Sequence, residues 1–225
     1  EGHDLVAGEV VAHIEIEVAP DDRLPVVART APCRERTASH EHVLAHGVPD
    51  VVRRVAAAVK IPVSVKLPMR LTNVLSVGDA LLGRGAGGLV LYNRFFEPDI
   101  DIEKMCLVNG DPFSEPGELR NVLRSTALCA HALPQLDIAV STGVHDGAAA
   151  VKSLLCGAAA VQVCTAIHKY GYEVIGEMNR FIDAWAARQG FESLDEFRGR
   201  MDYGSSEGDF YQRVQYMKYF PHDTE

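Results

Sequence analysis

Polar and small residues follow or end four apolar runs that are typical of buried strands. They are Lys66, Asn93, the run Ser141-Thr142-Gly143, and the pair Cys164-Thr165. Active sites of parallel α/β folds lie at the carboxyl ends of the strands, so these residues are the first candidates for chemistry. A lysine supplies a compact cation for an anionic ring, and an asparagine pairs a donor and an acceptor with a planar, amide-like substrate. Small residues before a helix expose backbone N–H groups that bind phosphate.

Each of these signals has a commoner structural explanation when it stands alone. A single lysine at a strand end is usually structural or solvated, and a single Thr-Gly pair is usually only a turn. The four together are more informative because phosphate sites after the last two strands recur in (β/α)8 barrels. The pattern therefore predicts a phosphate-binding edge.

The elements that must position these residues alternate between strand and helix. Apolar residues at helical spacing predict helices over 48–60, 72–82, 116–132, 147–156 and 174–188. Short apolar runs predict strands over 61–67, 89–92, 136–141 and 159–164. Thr72 or Asn73 is the expected cap of the second helix, and the glycine-rich stretch 83–88 is expected to end it in a turn. This order predicts a parallel sheet with crossover helices, and its apolar strands suggest cover on both faces.

The two ends of the chain differ from this pattern. Residues 10–18 alternate like a further strand, and 20–47 show little periodicity. The segment 193–198 predicts a short helix whose capping box is completed by Glu196. The aromatic-rich segment 210–220 predicts a helix that packs on the fold.

Composition limits the classes of function. The chain has 225 residues, 47% hydrophobic and 24% charged, and a net charge of −9. An acidic chain argues against nucleic-acid or anionic-membrane partners, and we expect neither. Its five scattered cysteines have no zinc-ligand spacing, so reduced, mostly buried thiols in a cytoplasmic protein are expected. The cluster His40, His42 and His46 is weak evidence for a metal, and no metal site is predicted.

Several segments together resemble the dihydroorotate dehydrogenase-like proteins, relatives of the class 1, FMN-dependent dihydroorotate dehydrogenases. They are IPVSVKL, GLVLYNRFFEPDIDIE, SEPGELRNVLR, DIAVSTGVHDGAAAVKSLLCGAAAVQVCTAI, FESLDEFRGRM and YQRVQYMKYF, within about residues 48–220. The resemblance implies an FMN-dependent oxidoreductase of pyrimidine biosynthesis that converts dihydroorotate to orotate. It leaves the electron acceptor and the oligomeric state open, although relatives of this kind are commonly homodimers.

The resemblance also assigns roles to individual residues. Lys66 matches a flavin-contacting lysine on the fifth strand, and Asn93 matches an asparagine near flavin and substrate after the sixth. Thr142-Gly143 matches a Gly-Gly phosphate turn, and Cys164-Thr165 matches a Gly-Thr or Gly-Ser phosphate turn. In both turns a side chain replaces a glycine where the backbone normally approaches phosphate, which is expected to weaken binding.

The resemblance predicts a (β/α)8 TIM-barrel type fold that is incomplete, with about strands four to eight. Residues 1–47 would hold a degraded fourth strand and a long loop, 48–190 the C-terminal half of the flavin barrel, and 191–225 a helical tail packed on it. In the fourth strand Glu15-Ile16-Glu17 stands where the family has approximately Glu-Leu-Asn. The catalytic base is unassigned, with Glu17 as a weak candidate.

Three hypotheses follow. In the first, the chain is a dihydroorotate dehydrogenase-like flavin oxidoreductase, and whether this chain is active by itself is left open. It is alternatively a flavin or phosphate-ligand barrel enzyme with a different substrate. The third hypothesis is a degenerate, non-catalytic partial barrel that acts through a partner bound at its open edge.

Overall fold

The computed structural model describes residues 47–94, 97–205 and 211. Its helices are α1 Val48–Ala58, α2 Val74–Leu82, α3 Leu119–Ala132, α4 Gly147–Leu155, α5 Thr165–Tyr170 and α6 Glu173–Gln189. Its strands are β1 Val63–Pro68, β2 Ala86–Asn93, β3 Pro98–Asp101, β4 Cys106–Asn109, β5 Asp137–Val140 and β6 Ala160–Val161. Two short 3-10 helices span Pro116–Glu118 and Leu194–Glu196. The predicted mixed α/β fold with a parallel sheet is confirmed.

The strands β1, β2, β5 and β6 form one parallel sheet in the order in which they occur in the chain. Parallel crossovers are right-handed in nearly all proteins, so an order that never reverses puts every crossover helix on the same face. A doubly wound fold reverses its order and carries helices on both faces. The sheet is therefore singly wound, as in the wall of a (β/α)8 barrel, and the described strands leave it open rather than closed.

The register of the sheet sorts its side chains into two faces, because successive residues of a strand point in opposite directions. One row across the four strands contains Leu67, Leu91, Val140 and Val161. The adjacent row contains Lys66, Val90, Ala139 and Ala160. The first row belongs to the main hydrophobic core, whereas no member of the second row does.

The helices supply the other half of that core. Each of the six described helices contributes a buried residue to it, namely Val52, Leu81, Val122, Ala149, Ala166 and Met178. Neighbouring helices also contact one another in chain order from α1 to α4, and α4 contacts α6. Among the described residues the helices thus cover one face. Val90 and Ala139 on the other face are nevertheless buried, at 3% and 9% exposure, which agrees with the predicted cover on both faces. The face that carries Lys66 is called the helix-free face below.

Only part of the glycine-rich stretch 83–88 forms the predicted turn. Strand β2 begins at Ala86, inside the stretch that was predicted as a turn. Only its first part turns, where Gly85 has a φ of +93°. A Cβ on Gly88 would lie 2.8 Å from the carbonyl oxygen of Asp137 on the paired strand. This glycine therefore serves a close approach of two backbones rather than a turn.

Local capping was predicted correctly at one helix and wrongly at another. Asn73 caps α2, since its Oδ1 accepts the Ser76 N–H at 3.1 Å. Ser193 makes no capping hydrogen bond. Glu196 instead accepts the Glu192 N–H at 2.7 Å, so the predicted capping box is wrong.

An antiparallel hairpin of β3 and β4 was not predicted. Its apolar side chains are exposed, including Ile102 at 79% and Met105 at 87%. Periodicity detects a strand through one buried face, and this hairpin buries neither face. Its turn is held by Asp101, whose Oδ1 accepts the N–H groups of Lys104 and Glu103, and these bonds lower the pKa of that carboxyl.

A second hydrophobic cluster attaches the residues after α6 to the sheet's helices. Phe197 is fully buried there with Leu154 and Ala186. Its ring lies 5.0 Å from the Trp185 ring and 5.5 Å from the Phe191 ring. Of the aromatic-rich segment 210–220, only Tyr211 is described, and its hydroxyl lies 3.4 Å from Cys156 Sγ.

The predicted strand at 10–18 lies outside the described residues. No described helix combines the length and the apolar character that crossing a bilayer requires.

Replacing Phe197 tests the second cluster. Phe197→Ala is expected to lower the free energy of unfolding by about 3 to 5 kcal/mol, because it leaves a cavity among packed rings. Tyr172→Ala is the control, since Tyr172 is 78% exposed and should change stability by less than about 0.5 kcal/mol. Urea denaturation measures both values. Equal losses in the two variants would contradict the packing described here.

Candidate active site

The carboxyl ends of the parallel strands lie along one edge of the sheet. Pro68, the last residue of β1, pairs with Asn93, the last residue of β2. The Tyr92 N–H donates to the Ser141 carbonyl at 3.0 Å, so the loop after β5 begins beside Asn93. The Gln162 N–H donates to the Val140 carbonyl at 2.8 Å, which places the end of β6 next to β5. The backbone pairing therefore brings Asn93 and the start of the loop after β5 side by side at this edge, with the end of β6 next to them.

Lys66 lies inside β1 rather than after it, because the strand continues to Pro68. Its neighbours Val65 and Leu67 are buried in the core, whereas Lys66 is exposed on the helix-free face. The described residues supply no ion-pair partner for its ammonium group. The charge is thus available to an anionic ligand at this face.

The turn after β5 contains two successive residues with positive φ, Thr142 at +84° and Gly143 at +77°. Such values suit glycine and are rare for a β-branched residue. Thr142 Oγ1 donates a hydrogen bond to the Tyr92 carbonyl at 3.1 Å, which ties the turn to the end of β2. The position was expected to crowd a ligand through its side chain. The structure shows a backbone conformation that glycine favours, with a hydroxyl that partly offsets the strain.

Gly143 is also required for packing. A Cβ at this position would lie 2.5 Å from the backbone nitrogen of Leu119, the first residue of α3. The turn after β5 therefore rests directly on the start of α3.

The turn after β6 has a different geometry. Cys164 has a φ of −125° and is exposed, so its backbone has no need of a glycine. Thr165 is buried, and its Oγ1 accepts hydrogen bonds from Ser114 N at 3.1 Å and Ser114 Oγ at 3.0 Å. The side chain of Thr165 is thus directed into the protein and held there.

Ser114 links the two turns. Besides Thr165, its Oγ contacts His145 Nε2 at 3.1 Å. His145 lies in the loop after β5, two residues beyond Gly143. Neither Ser114 nor His145 was predicted as a site residue. The only signal in the sequence was a serine in the polar stretch before Pro116.

Arg94, which directly follows Asn93, anchors the segment that carries Ser114. Its Nε lies 3.2 Å from Glu118 Oε2, and its NH1 donates to the Asp111 carbonyl at 2.7 Å. Glu118 also accepts the Glu115 N–H at 2.8 Å. Residues 110–118 are called the bridging segment below, because they are hydrogen-bonded to Arg94 after β2, to His145 in the loop after β5 and to Thr165 after β6.

The bridging segment also contacts α5 through an aromatic ring. The Phe113 ring lies 4.6 Å from the His168 ring. Lys169 Nζ lies 5.6 Å from the centre of the same ring, within cation–π range. These contacts place the first and last turns of α5 against one short segment.

A pocket of about 520 Å³ adjoins the loop after β5. Its lining combines polar and apolar side chains from α4, α5, α6 and the loop, namely His145, Asp146, Gly147, Tyr170, Val174, Glu177, Met178 and Phe181. The volume is within the range of small-molecule sites. His145 belongs both to this pocket and to the Ser114 cluster.

Burial keeps several ionisable groups neutral. Desolvation raises the pKa of Tyr92 to about 12 and that of Cys129 to about 12, and it also raises the pKa of Cys156. Cys106 and Cys164 are exposed, so the expectation of buried thiols holds for only two of the four described cysteines. Residues 47–94, 97–205 and 211 contain no cluster of metal-ligating side chains. Glu17, Cys33 and the cluster His40, His42 and His46 lie outside them.

Known proteins resemble this chain over part of its length. The dihydroorotate dehydrogenase A (fumarate) of Streptococcus agalactiae is 35% identical over 94 residues, which are 42% of this chain and 29% of the relative. The enzyme of the same name from Streptococcus pneumoniae gives the same values. The catalytic subunit of dihydroorotate dehydrogenase B (NAD(+)) of Methanothermobacter thermautotrophicus is 30% identical over 158 residues, 67% of this chain and 52% of the relative. The resemblance to dihydroorotate dehydrogenases is confirmed.

The similarity to these dihydroorotate dehydrogenases is partial. The chain spans about half the length of the archaeal relative and less than a third of the streptococcal ones. No protein-family model matches the chain.

The backbone strain at Thr142 can be tested with a pair of variants. Thr142→Ala keeps the positive φ and loses the hydrogen bond, so it should destabilise the chain by about 1 kcal/mol. Thr142→Gly also loses the bond but relieves the strain, so it should be more stable than the alanine variant by about 1 kcal/mol. Urea denaturation measures the difference.

A control at an exposed helical position should show the opposite order of stability for alanine and glycine. Asn179 is exposed in α6, where alanine should be more stable than glycine by about 1 kcal/mol. If alanine were also preferred at position 142, the positive φ would be refuted.

Proposed function

We propose that the chain is a dihydroorotate dehydrogenase-like flavin oxidoreductase that uses FMN to oxidise dihydroorotate to orotate in pyrimidine biosynthesis. The observation that carries this proposal is the unreversed parallel sheet, whose carboxyl-terminal edge carries Asn93 and the two turns, with Lys66 two residues inside the end of β1. The names of the relatives support the reaction class. On this proposal the sheet is the wall of an incomplete (β/α)8 barrel, and the helix-free face is turned toward its interior.

The residues of the edge fit FMN. Gly143 and Thr165 are buried, yet their backbone N–H groups find no acceptor among the described residues. An N–H group without a protein acceptor can donate to an anion, so two such groups in neighbouring turns suit a phosphate. The turns Thr142-Gly143 and Cys164-Thr165 would hold the phosphate, and Lys66 would neutralise negative charge on the ring. When bound, FMN would accept the hydride that dihydroorotate loses.

The chain's own residues would bind and orient the substrate. Asn93 is exposed at the end of β2, where its amide can donate to and accept from a planar ring amide. Removing a proton from carbon requires a positioned base. Glu17 is the weak candidate for that base, and it lies outside the described residues.

Two alternative functions are each favoured by a specific observation. Threonine at position 142 and cysteine at position 164 depart from the paired glycines of the resembled family, which favours a flavin or phosphate-ligand enzyme with a different substrate. The described strands form an open sheet, which favours a non-catalytic partial barrel that acts through a partner bound at its open edge.

The proposal includes a cytoplasmic location and a small-molecule substrate, with neither nucleic acid nor membrane as a partner. The four described cysteines are unpaired, which supports a reducing compartment. A homodimer is proposed by analogy with the resembled family.

Titration of the purified chain with FMN tests the proposal. We expect quenching of flavin fluorescence on binding, and Lys66→Ala should weaken the affinity about tenfold because it removes the one charge on its row of the sheet. Lys152→Ala is the control, since Lys152 is exposed on α4 away from the edge. Absence of binding by the unsubstituted chain would refute the proposal.

Substrate identity needs a second measurement. Dihydroorotate added without oxygen should bleach the absorbance of bound flavin. Flavin that binds but stays oxidised would favour the alternative substrate.

A further inference from the structure

The bridging segment reaches three strand ends that are distant in the sequence. Ser114 and Thr165 are 51 residues apart, and Ser114 and His145 are 31 residues apart. Arg94 and Phe113 hold the same segment to the end of β2 and to α5. Ser114 is the member that contacts both Thr165 in the turn after β6 and His145 in the loop after β5.

Ser114 makes three hydrogen bonds, two to Thr165 and one to His145. Its backbone N–H and its hydroxyl both donate to Thr165 Oγ1. The contact between Ser114 Oγ and His145 Nε2 is a hydrogen bond whose donor depends on the tautomer of the ring. In either tautomer the bond orients the His145 ring.

The hydrogen bonds of Ser114 contribute to rigidity because they are buried. Ser114 and Thr165 are both buried, where an unsatisfied hydroxyl is costly and where polar bonds are strong. A shift of one turn relative to the other would break at least one of the three bonds. The cluster thus opposes independent movement of the loop after β5 and the start of α5.

We propose that Ser114 is a positioning residue that holds the two phosphate turns at a set separation, with Thr165 and His145 as its contacts. The inference rests on the proposed function only in taking FMN phosphate as the ligand of those turns. A phosphate that is bound by N–H groups from two turns requires both turns in place at once, since misplacement of either removes its donors.

Four variants test this inference by FMN fluorescence titration. Ser114→Ala and Thr165→Val should each weaken FMN binding about tenfold, because each leaves the turns unlinked. The double variant should be scarcely weaker than either single variant, since both remove the same link. Thr165→Ser restores the hydroxyl and should recover the affinity that Thr165→Val loses.

Ser153→Ala is the matched control for stability. Ser153 is also buried, and its Oγ donates to the Ala149 carbonyl at 2.8 Å within α4. It should lower stability as Ser114→Ala does while leaving FMN affinity unchanged. Equal loss of affinity in the two serine variants would overturn the inference, because it would make the effect one of general stability.

Hydrogen exchange without FMN separates this inference from the proposed function. In Ser114→Ala the peptides over residues 142–146 and 164–168 should both exchange faster, whereas peptides over β1 should not. If the unsubstituted chain binds no FMN, the proposed function fails and the exchange result alone decides the role of Ser114. If FMN binds but Ser114→Ala changes neither affinity nor exchange, the positioning role is refuted and the proposed function stands.

Discussion

Parallel pairing of four strands in unreversed order is the constraint on which the rest of the structure depends. Because every crossover is right-handed, this order places all the crossover helices on one face and leaves the other free of them. The register then decides the environment of each side chain: Leu67 enters the core, and Lys66, one residue earlier, stands on the helix-free face. A slip of one residue would exchange these two environments.

The edge at the carboxyl ends combines local strain with buried hydrogen bonds. Thr142 adopts a backbone conformation that threonine rarely tolerates, and its hydroxyl bond to Tyr92 partly offsets the cost. Ser114 and Thr165 form a buried polar cluster nearby. Strained turns and satisfied polar clusters of this kind fix the direction of backbone N–H groups, which is the requirement for binding an anion without reorganisation.

The chain is similar to only part of the dihydroorotate dehydrogenases, and the described residues contain only part of the proposed site. What the described residues contain is an edge with two turns, a lysine and an asparagine. The similar regions make up 29% of the first streptococcal relative and 52% of the Methanothermobacter relative. On the proposed function, groups that act on substrate carbon would have to approach the helix-free face from outside the described residues, and the turns would supply the anchoring of the cofactor.

The sequence by itself determined those features that depend on neighbours in the chain. The amphipathic spacing of α1 and the Asn73 cap of α2 were predictable because they arise within a few residues. The link from Ser114 to Thr165 spans 51 residues, and the ion pair of Arg94 with Glu118 spans 24, so no local pattern reveals either. The hairpin was hidden because it buries no face. Tertiary structure alone decided which polar residues meet, since that depends on strand register and on how the loops fold over the edge of the sheet.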